Sequence, residues 1–400
     1  MLASARRRSM GPVRWVALLA AAVLAVAGCD GSQATGNVPG TSTTTGRVGA
    51  ATHPPPPDRA VLTAIFDATD GPNWSRKDKW LSEAPIGEWH GVTTDANDRV
   101  ISLVLPTNNL SGPLPAELAQ LGELREISLS FNALTGEIPA ELGHLDRLLK
   151  LRLRANQLAG EIPADLGLLS SLQELDLSGN ELSGHISPEL GQLAHLQELN
   201  LRANELRGEI PAEVGQLANL QVLSLGENFL SGELPAELGQ LSNLRFLVLT
   251  RNKLEGEIPD EFGQLANLRT LQLGGNFLTG EIPAELGRLA SLELLNLCEN
   301  DLSGEIPVEL GQLANLLTLD LSFCRLSGKI PAELGQLANL QTLMLWGNRL
   351  RGTIPAELAR LGNLQLLTLP SSPLLTGCIP VALRRIPGNN FQYLPITFCE

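Results

Sequence analysis

Hydrophobic residues recur along most of the chain with a fixed spacing of 24 residues, beginning at Val100. Each unit follows the pattern LxxLxLxxNxLxGxIPxxLGxLxx, and LQELDLSGNELSGHISPELGQLAH, residues 172–195, shows most of it. A period of this length indicates a repeat architecture in which each unit is one small structural element. The leading positions of twelve units are Val100, Leu124, Leu148, Leu172, Leu196, Leu220, Leu244, Leu268, Leu292, Leu316, Leu340 and Leu364.

The pattern within each unit predicts its local structure. The alternation LxL predicts a short strand whose leucines point to one side. Glycine permits the bend after the strand, and the LGxL segment predicts a helical or 3₁₀ turn on the opposite, convex side. One unit cannot enclose its own leucines, so successive units must stack their strands in parallel and share a continuous core.

The repeated motif resembles the leucine-rich repeat, in the form with a Gly-x-Ile-Pro segment that is familiar from plant receptor ectodomains. The resemblance implies a β-rich α/β solenoid, a right-handed superhelix with a parallel sheet on its concave face and a cap at each end. Twelve repeats then occupy residues 100–387, with an N-terminal cap at 58–99 and a C-terminal cap at 388–400.

One asparagine per unit stands where the chain leaves the predicted strand. Because a carboxamide both donates and accepts, it can bond the backbone of its own and the adjacent unit. Cys324 occupies this position once; cysteine tolerates burial and keeps a weak donor, and the family resemblance implies that it is an accepted alternative. The alternative hypothesis for Cys324 is a redox or metal-binding role. We expect a ladder of Asn108, Asn132, Asn156, Asn180, Asn204, Asn228, Asn252, Asn276, Asn300, Cys324 and Asn348.

Both ends of an open solenoid need special segments to cover the core. Three tryptophans precede the first repeat, and WHGV at residues 89–92 resembles the N-terminal cap of plant-type repeats, although the flanking cysteines of that form are absent. We interpret these tryptophans as cap core, with carbohydrate binding as the alternative. They are Trp74, Trp80 and Trp89.

The last repeat is irregular, with one extra residue before its glycine and Ser372 in the asparagine position. Cys378 and Cys399 bracket the closing segment, and in an exported protein such a pair is expected to form a disulfide. Pairing of Cys298 with Cys324 stays open, because the two occupy different positions of their units.

The N-terminus carries export features. An arginine-containing segment precedes the apolar run WVALLAAAVLAVA, which has the layout of a signal peptide over residues 1–28. The run ends in VAGC, which resembles a bacterial lipobox and implies that Cys29 carries a lipid anchor. The protein would then be exported and membrane-anchored, facing the periplasm or cell exterior; if Cys29 is incidental, it is secreted. Residues 29–57 are rich in Gly, Ser, Thr and Pro and predict a disordered tether.

Composition and the lack of certain motifs argue against several classes of function. The net charge of −14 and the lack of a basic stripe argue against nucleic-acid binding. No phosphate-binding loop, nucleophile elbow, HExxH motif or zinc-type cysteine cluster occurs, so we expect no enzyme activity and no cofactor or metal. Glutamates align in columns on the convex side; we interpret them as a soluble surface, with calcium binding as the alternative. A monomer is expected.

Ligand contacts are expected at strand positions that the repeat does not dictate. Units two to five place charged residues there, and units six to twelve place more apolar ones. Aromatic residues also follow the strands at Phe229, Phe277 and Phe323. Exposed aromatic side chains often anchor binding interfaces, although random drift among the copies is the alternative. The candidate ligand-binding residues are Arg152, Arg154, Phe246, Val248, Met344 and Trp346.

The sequence therefore predicts a non-catalytic recognition protein that presents its concave face to a protein, peptide or glycan. A structural or adhesive envelope protein without a specific ligand is the alternative from another functional class.

Overall fold

A single long sheet dominates the computed structural model, which describes residues 57–400. The predicted signal peptide, Cys29 and nearly all of the predicted tether lie outside the described residues. We number the repeats coil 1, from Val100, to coil 12, from Leu364. The sheet has fourteen strands, at Val92–Thr94, Val100–Val104, Glu126–Ser128, Lys150–Arg152, Glu174–Asp176, Glu198–Asn200, Val222–Ser224, Phe246–Val248, Thr270–Gln272, Leu294–Asn296, Thr318–Asp320, Thr342–Met344, Leu366–Thr368 and Gly388–Asn389.

The strands pair in register with the repeat. Glu198 lies beside Val222 and Leu199 beside Leu223, and each later pair of coils in the described chain repeats this parallel arrangement. Within residues 57–400, the cap strand Val92–Thr94 alone pairs antiparallel, with Val100–Val104. The predicted solenoid with a long parallel sheet is confirmed.

Shorter strands follow the asparagine positions and form small parallel sheets on one side of the coils. Four of these strands pair in coils 1–4, three in coils 5–7 and two in coils 11–12. Their bounds are Ser111–Pro113, Ala133–Gly136, Gln157–Glu161, Glu181–Ser183, Arg207–Gly208, Phe229–Glu233, Lys253–Glu255, Gly352–Thr353 and Leu375–Thr376. We call the side of the solenoid that carries them the exit edge.

The convex side consists of 3₁₀ turns. In coils 1–12 they span Ala116–Gln120, Ala140–His144, Ala164–Leu168, Pro188–Gln192, Ala212–Gln216, Ala236–Gln240, Asp260–Gln264, Ala284–Arg288, Val308–Gln312, Ala332–Gln336, Ala356–Arg360 and Val381–Arg385. Three more lie in the caps, at Gly71–Asn73, Ile86–Glu88 and Phe391–Tyr393. The α-helix of the described chain is Pro57–Ala68, in the N-terminal cap.

The glycine of the LGxL segment allows these turns to stack. A Cβ at Gly239 would lie 2.6 Å from both the carbonyl oxygen and the Cβ of Glu261 in the next coil. Such a distance is well inside van der Waals contact, so any side chain would push the coils apart. The repeat therefore keeps glycine here because two backbones approach closely.

The core is a continuous column of leucine side chains. The leucines on either side of the last strand residue of a coil are fully buried, as Leu199 and Leu201 are on either side of Asn200. The N-terminal cap closes one end of the column with buried Trp74, Trp80 and Trp89. The rings of Trp74 and Trp80 meet edge to face with centroids 4.7 Å apart. Burial of aromatic surface replaces the covalent link that the cap lacks.

A buried ion pair ties the cap helix to the first coil. The carboxylate of Asp58 accepts the guanidinium of Arg99 at 3.0 Å and the amide of Val100 at 2.8 Å. Because Asp58 is almost fully buried, these bonds are needed to compensate its desolvation.

The C-terminal end differs from the predicted boundary. Gly388–Asn389 adds a thirteenth parallel strand to the sheet, so repeat-like structure continues into the segment predicted as cap. Asn390 exchanges hydrogen bonds with the backbone of Leu369, as the ladder asparagines do in earlier coils. Cys378 and Cys399 form a disulfide, with Cα atoms 5.0 Å apart, that closes this end.

Candidate binding surface

The ladder asparagines lie inside the solenoid, where they connect successive coils. Asn180 donates to the carbonyl oxygens of Leu153 and Leu177 at 3.1 and 2.9 Å, and its Oδ1 accepts the amide of Leu158 at 3.1 Å. The same set of bonds recurs from Asn156 to Asn300. These side chains hold the exit turns in place and leave none of their polar groups for a ligand.

At the first ladder position Asn108 bonds the backbone of Arg76 in the N-terminal cap, since no coil precedes it. Two later positions also depart from the arrangement. The Sγ of Cys324 donates to the carbonyl oxygen of Leu297 at 3.3 Å. Ser372 turns its hydroxyl to the amide of Leu374 in its own coil, at 3.2 Å. Neither residue supplies the acceptor that an asparagine offers to the preceding coil, so the ladder is incomplete in the C-terminal third of the solenoid.

The two free thiols of residues 57–400, those of Cys298 and Cys324, lie in environments that disfavour the thiolate form. Burial raises the pKa of the Cys324 thiol to about 12, and burial followed by the nearby Asp320 carboxylate raises the pKa of Cys298. Cys298 is half-buried rather than fully exposed, and the two cysteines are not bonded to each other. Because the thiolate is the nucleophile and the metal ligand, these shifts oppose either role at neutral pH.

Charged side chains form one connected group on the sheet face of coils 2–5. Arg152 donates to Glu126 at 2.8 Å and makes a two-pronged contact with Glu174. This contact with Glu174 is the main cause that raises the pKa of Arg152. Arg152, which was predicted as a contact residue, therefore already pairs with Glu126 and Glu174. A ligand can bind Arg152 only if it replaces one of these carboxylates.

Glu198 extends this group with a carboxylate that has no ion pair in the described structure. Burial, reinforced by the neighbouring charges of Glu174 and Asp176, raises the pKa of Glu198 to about 7. A carboxylate in this state gains from any cationic group that approaches it.

Arg154 lies two residues beyond the strand Lys150–Arg152, and its guanidinium lies over the ring of Phe131, 5.5 Å from the centroid. Phe131 is one of the more exposed aromatic residues, and the sequence analysis missed it. Its position just before the ladder asparagine is the position of Phe323 in coil 10, so a comparison of that column would have found it.

The apolar half of the sheet face offers fewer contacts than predicted. Phe246 and Met344 are half-buried, and Trp346 is exposed. Val248 is only 7% exposed, contrary to its prediction as a contact residue. Short side chains in this column, such as Ser224 and Val248, are covered by their neighbours because adjacent strands lie only about 4.8 Å apart.

Among residues 57–400, no group of three or more His, Cys, Asp or Glu is arranged to hold a metal ion. In the same part of the chain, no helix has the length and hydrophobicity needed to cross a membrane. What the surface presents is a long, shallow array of charged and aromatic side chains, which suits noncovalent recognition of an extended partner.

Comparison with known proteins agrees with this architecture. The family described as leucine-rich repeat region matches residues 176–277 and 211–328, and the family described as leucine rich repeat matches residues 123–145 and 339–361. A probable leucine-rich repeat receptor-like protein kinase of Arabidopsis thaliana is 35% identical over 81 residues, which cover 17% of this chain and 9% of that protein.

Two solved structures illustrate the range of relatives. The Arabidopsis receptor kinase HAESA, solved with the peptide hormone IDA and the co-receptor SERK1, is 33% identical with a TM-score of 0.72. That match covers 81% of this chain and 55% of that chain, so this protein spans about half of the solved receptor.

A leucine-rich repeat protein of Leptospira interrogans is 35% identical, with a TM-score of 0.51 over 67% of this chain and 77% of that one. Together with the register of the sheet and the family matches, this coverage establishes that the chain belongs to the leucine-rich repeat family.

Proposed function

We propose that the protein is a non-catalytic recognition protein that binds a protein, peptide or glycan ligand on its concave sheet face. The observation that carries the proposal is the sheet face itself, where Arg154, Phe246, Met344 and Trp346 are partly or fully exposed on, or just beyond, the strands of a rigid parallel sheet. Rigid elements that present a few long aromatic and charged side chains are suited to binding, because little conformational entropy is lost.

The comparison favours a peptide among the three ligand classes. HAESA was solved with a peptide hormone, and this chain shares its fold over most of the solenoid. Fold alone does not define a ligand, so the peptide assignment depends on the test of the surface residues.

The test is capture of a partner by the detergent-solubilised full chain from envelope extracts or host material. We expect one defined partner, whose capture falls at least tenfold in a Phe246→Ala and Met344→Ala double variant, since both residues lie on sheet strands. Phe277→Ala is the matched control, because Phe277 is exposed but follows the sheet rather than lying on it. Uniform weak adhesion to many surfaces, unchanged by the double variant, would instead support a structural or adhesive protein.

We further propose that the protein is exported and anchored to a membrane through Cys29, with residues 30–57 as the spacer. The support is the sequence VAGC after an apolar run, since two or three acyl chains give durable anchoring where one is marginal. In a bacterial host, metabolic labelling with a fatty-acid analogue should mark the wild type and not Cys29→Ala. Membrane association of unlabelled wild type would contradict the anchor.

A further inference from the structure

Three exposed apolar side chains lie in consecutive coils just after the sheet strands, where the sheet face meets the exit edge. They are Phe323 in coil 10, Trp346 in coil 11 and Leu374 in coil 12, which are 48%, 41% and 53% exposed. The rings of Phe323 and Trp346 meet edge to face, with centroids 4.7 Å apart. Contiguous apolar surface of this kind marks interaction sites on soluble proteins.

The backbone is shaped to hold the aromatic pair. Phe323 adopts a left-handed conformation with φ of 52°, and the facing residue in the next coil is Gly347, with φ of 74°. A Cβ at Gly347 would lie 2.9 Å from Cδ1 of the Phe323 ring. Glycine at this position therefore makes the space in which the Phe323 ring lies beside Trp346.

A groove borders the pair because coil 12 carries an extra residue. The depression has a volume of about 440 Å³ and is lined by Gly347, Asn348, Arg349 and residues 371–374. Its lining includes one backbone amide without a protein acceptor in the described chain, that of Gly347. In coil 10 the amide of Phe323 bonds the carbonyl of Trp346 at 2.7 Å and the amide of Leu326 bonds Asn348 at 3.0 Å.

The matching amides of coil 11, those of Gly347 and Leu350, have no protein acceptor in the described part of the chain, since coil 12 is displaced and Ser372 bonds its own coil. Of these two residues, Gly347 lines the groove, whereas Leu350 is fully buried. A backbone amide left unpaired beside an apolar groove is a feature that an extended peptide uses, because a peptide carbonyl accepts from it while a side chain enters the groove.

The charge of the exit edge reverses at the same place. The column that holds Glu209, Glu233, Glu257, Glu281 and Glu305 in coils 5–9 continues with Lys329 in coil 10. Coil 11 adds exposed Arg349 and Arg351. Within residues 57–400 none of these three cations has a carboxylate within ion-pair distance, in a chain whose net charge is −14.

We propose that the exit-edge patch, formed by Phe323, Trp346, Leu374, Lys329, Arg349 and Arg351, docks an acidic peptide segment of a partner protein. A bulky apolar side chain of the segment enters the groove against Leu374, one of its carbonyls accepts from the Gly347 amide, and its carboxylates pair with the cations, while Phe323 and Trp346 extend the apolar contact. The inference rests on the proposed function, because it treats the chain as a peptide-binding protein, but it places this contact beside the sheet face.

The test uses two labelled twelve-residue peptides, one with a single Phe among glutamates and one with the same Phe among lysines, and measures binding to the full chain by fluorescence anisotropy. We expect the acidic peptide to bind at least tenfold more tightly at low salt and to weaken as salt is raised. The Arg349→Glu and Arg351→Glu double variant should lose at least tenfold in affinity. The matched control, Arg288→Glu with Arg360→Glu, reverses two arginines on the convex 3₁₀ turns and should retain binding.

Equal binding of the two peptides, or full binding by the Arg349→Glu and Arg351→Glu variant, would overturn the proposal. A sulfated glycan that competes fully while Phe323→Ala binds normally would also overturn it, in favour of a polyanion site without an apolar contact.

Sheet-face variants separate the two proposals. If Arg152→Ala with Phe246→Ala abolishes peptide binding while the edge reversal leaves it intact, the edge proposal fails and the proposed function stands. If the sheet-face variant captures its partner as the wild type does, and the acidic peptide still requires Arg349 and Arg351, the proposal of a sheet-face ligand fails and the edge proposal stands.

Discussion

The thiol of Cys324 donates to the carbonyl oxygen of Leu297, 3.3 Å away, and this bond replaces two that asparagine makes in other coils. In coil 8, for comparison, the amide of Leu278 donates a hydrogen bond to Oδ1 of Asn300 at 3.0 Å. Cys324 has no side-chain oxygen that could accept the equivalent backbone amide of coil 9. Coil 10 is therefore joined to its neighbour less tightly than the coils before it.

Cys324→Asn should stabilise the protein, because the new carboxamide completes the ladder in a slot that accommodates asparagine elsewhere. We expect a gain of about 1 kcal/mol in the free energy of unfolding, which is the net worth of one buried hydrogen bond. Urea denaturation followed by circular dichroism measures it as a higher midpoint.

The converse change, Asn228→Cys, is the control and should lower the midpoint, since it removes the acceptor for the Leu206 amide. A lower midpoint in Cys324→Asn would mean that coil 10 is shaped around the thiol.

Glu198→Gln should change the pH dependence of stability. Below about pH 4.5 the carboxyl is protonated in both the folded and the unfolded chain and contributes no difference. Between the unfolded pKa and the folded pKa of about 7 the folded chain holds the proton more tightly, so wild-type stability falls as the pH rises through this window. After allowance for solvent screening, we expect Glu198→Gln to be more stable than wild type by about 1–2 kcal/mol at pH 8 and equal to it at pH 4.

The measurement is the urea midpoint at pH 4, 6 and 8, with Glu181→Gln as a control at an exposed carboxylate of the preceding coil. A Glu198→Gln effect that is the same at every pH would show that the carboxyl group is not titrating in this range.

Gly239→Ala should destabilise the protein because the new methyl group meets the backbone of Glu261 at 2.6 Å. Overpacking against backbone costs about 1–3 kcal/mol, and thermal unfolding measures it as a lower Tm. Gly122→Ala is the matched control, since a Cβ there meets nothing within 4 Å. Equal Tm values for the two variants would contradict the close-approach explanation of the repeat glycine.

Removal of the disulfide by Cys378→Ser with Cys399→Ser should loosen the C-terminal end. The bond closes a loop with a sequence separation of 21, for which loop entropy predicts a loss of about 3 kcal/mol. Hydrogen exchange should increase in residues 375–400 before it increases in the central coils. Reductant should reproduce the effect in wild type and have none in the double variant.

The sequence predicted the parts of the structure that the repeat enforces. The ladder position of Asn180 and the buried leucines follow from one period, because each coil has the same two neighbours. The burial of Val248 was missed, since it depends on the side chains of adjacent strands rather than on its own coil. The strand at Gly388–Asn389 was missed because its residues carry no repeat pattern.

The candidate surface shows the same division. The charge of Arg152 was evident from the sequence, but its engagement by Glu126 and Glu174 required the pairing of three strands. Phe131 escaped notice because it stands alone in its coil, and only the column shared with Phe323 reveals its place.

The uniform register between neighbouring coils has a consequence for chain length. Thr270 faces Leu294 as Leu294 faces Thr318, so excision of residues 268–291 would bring together two surfaces that already match. Such a deletion would shorten the distance from Arg154 to Trp346 by about 4.8 Å, the spacing of one strand, without creating a new kind of junction. The distance between the charged and the aromatic residues of the surface can therefore change in steps of one coil.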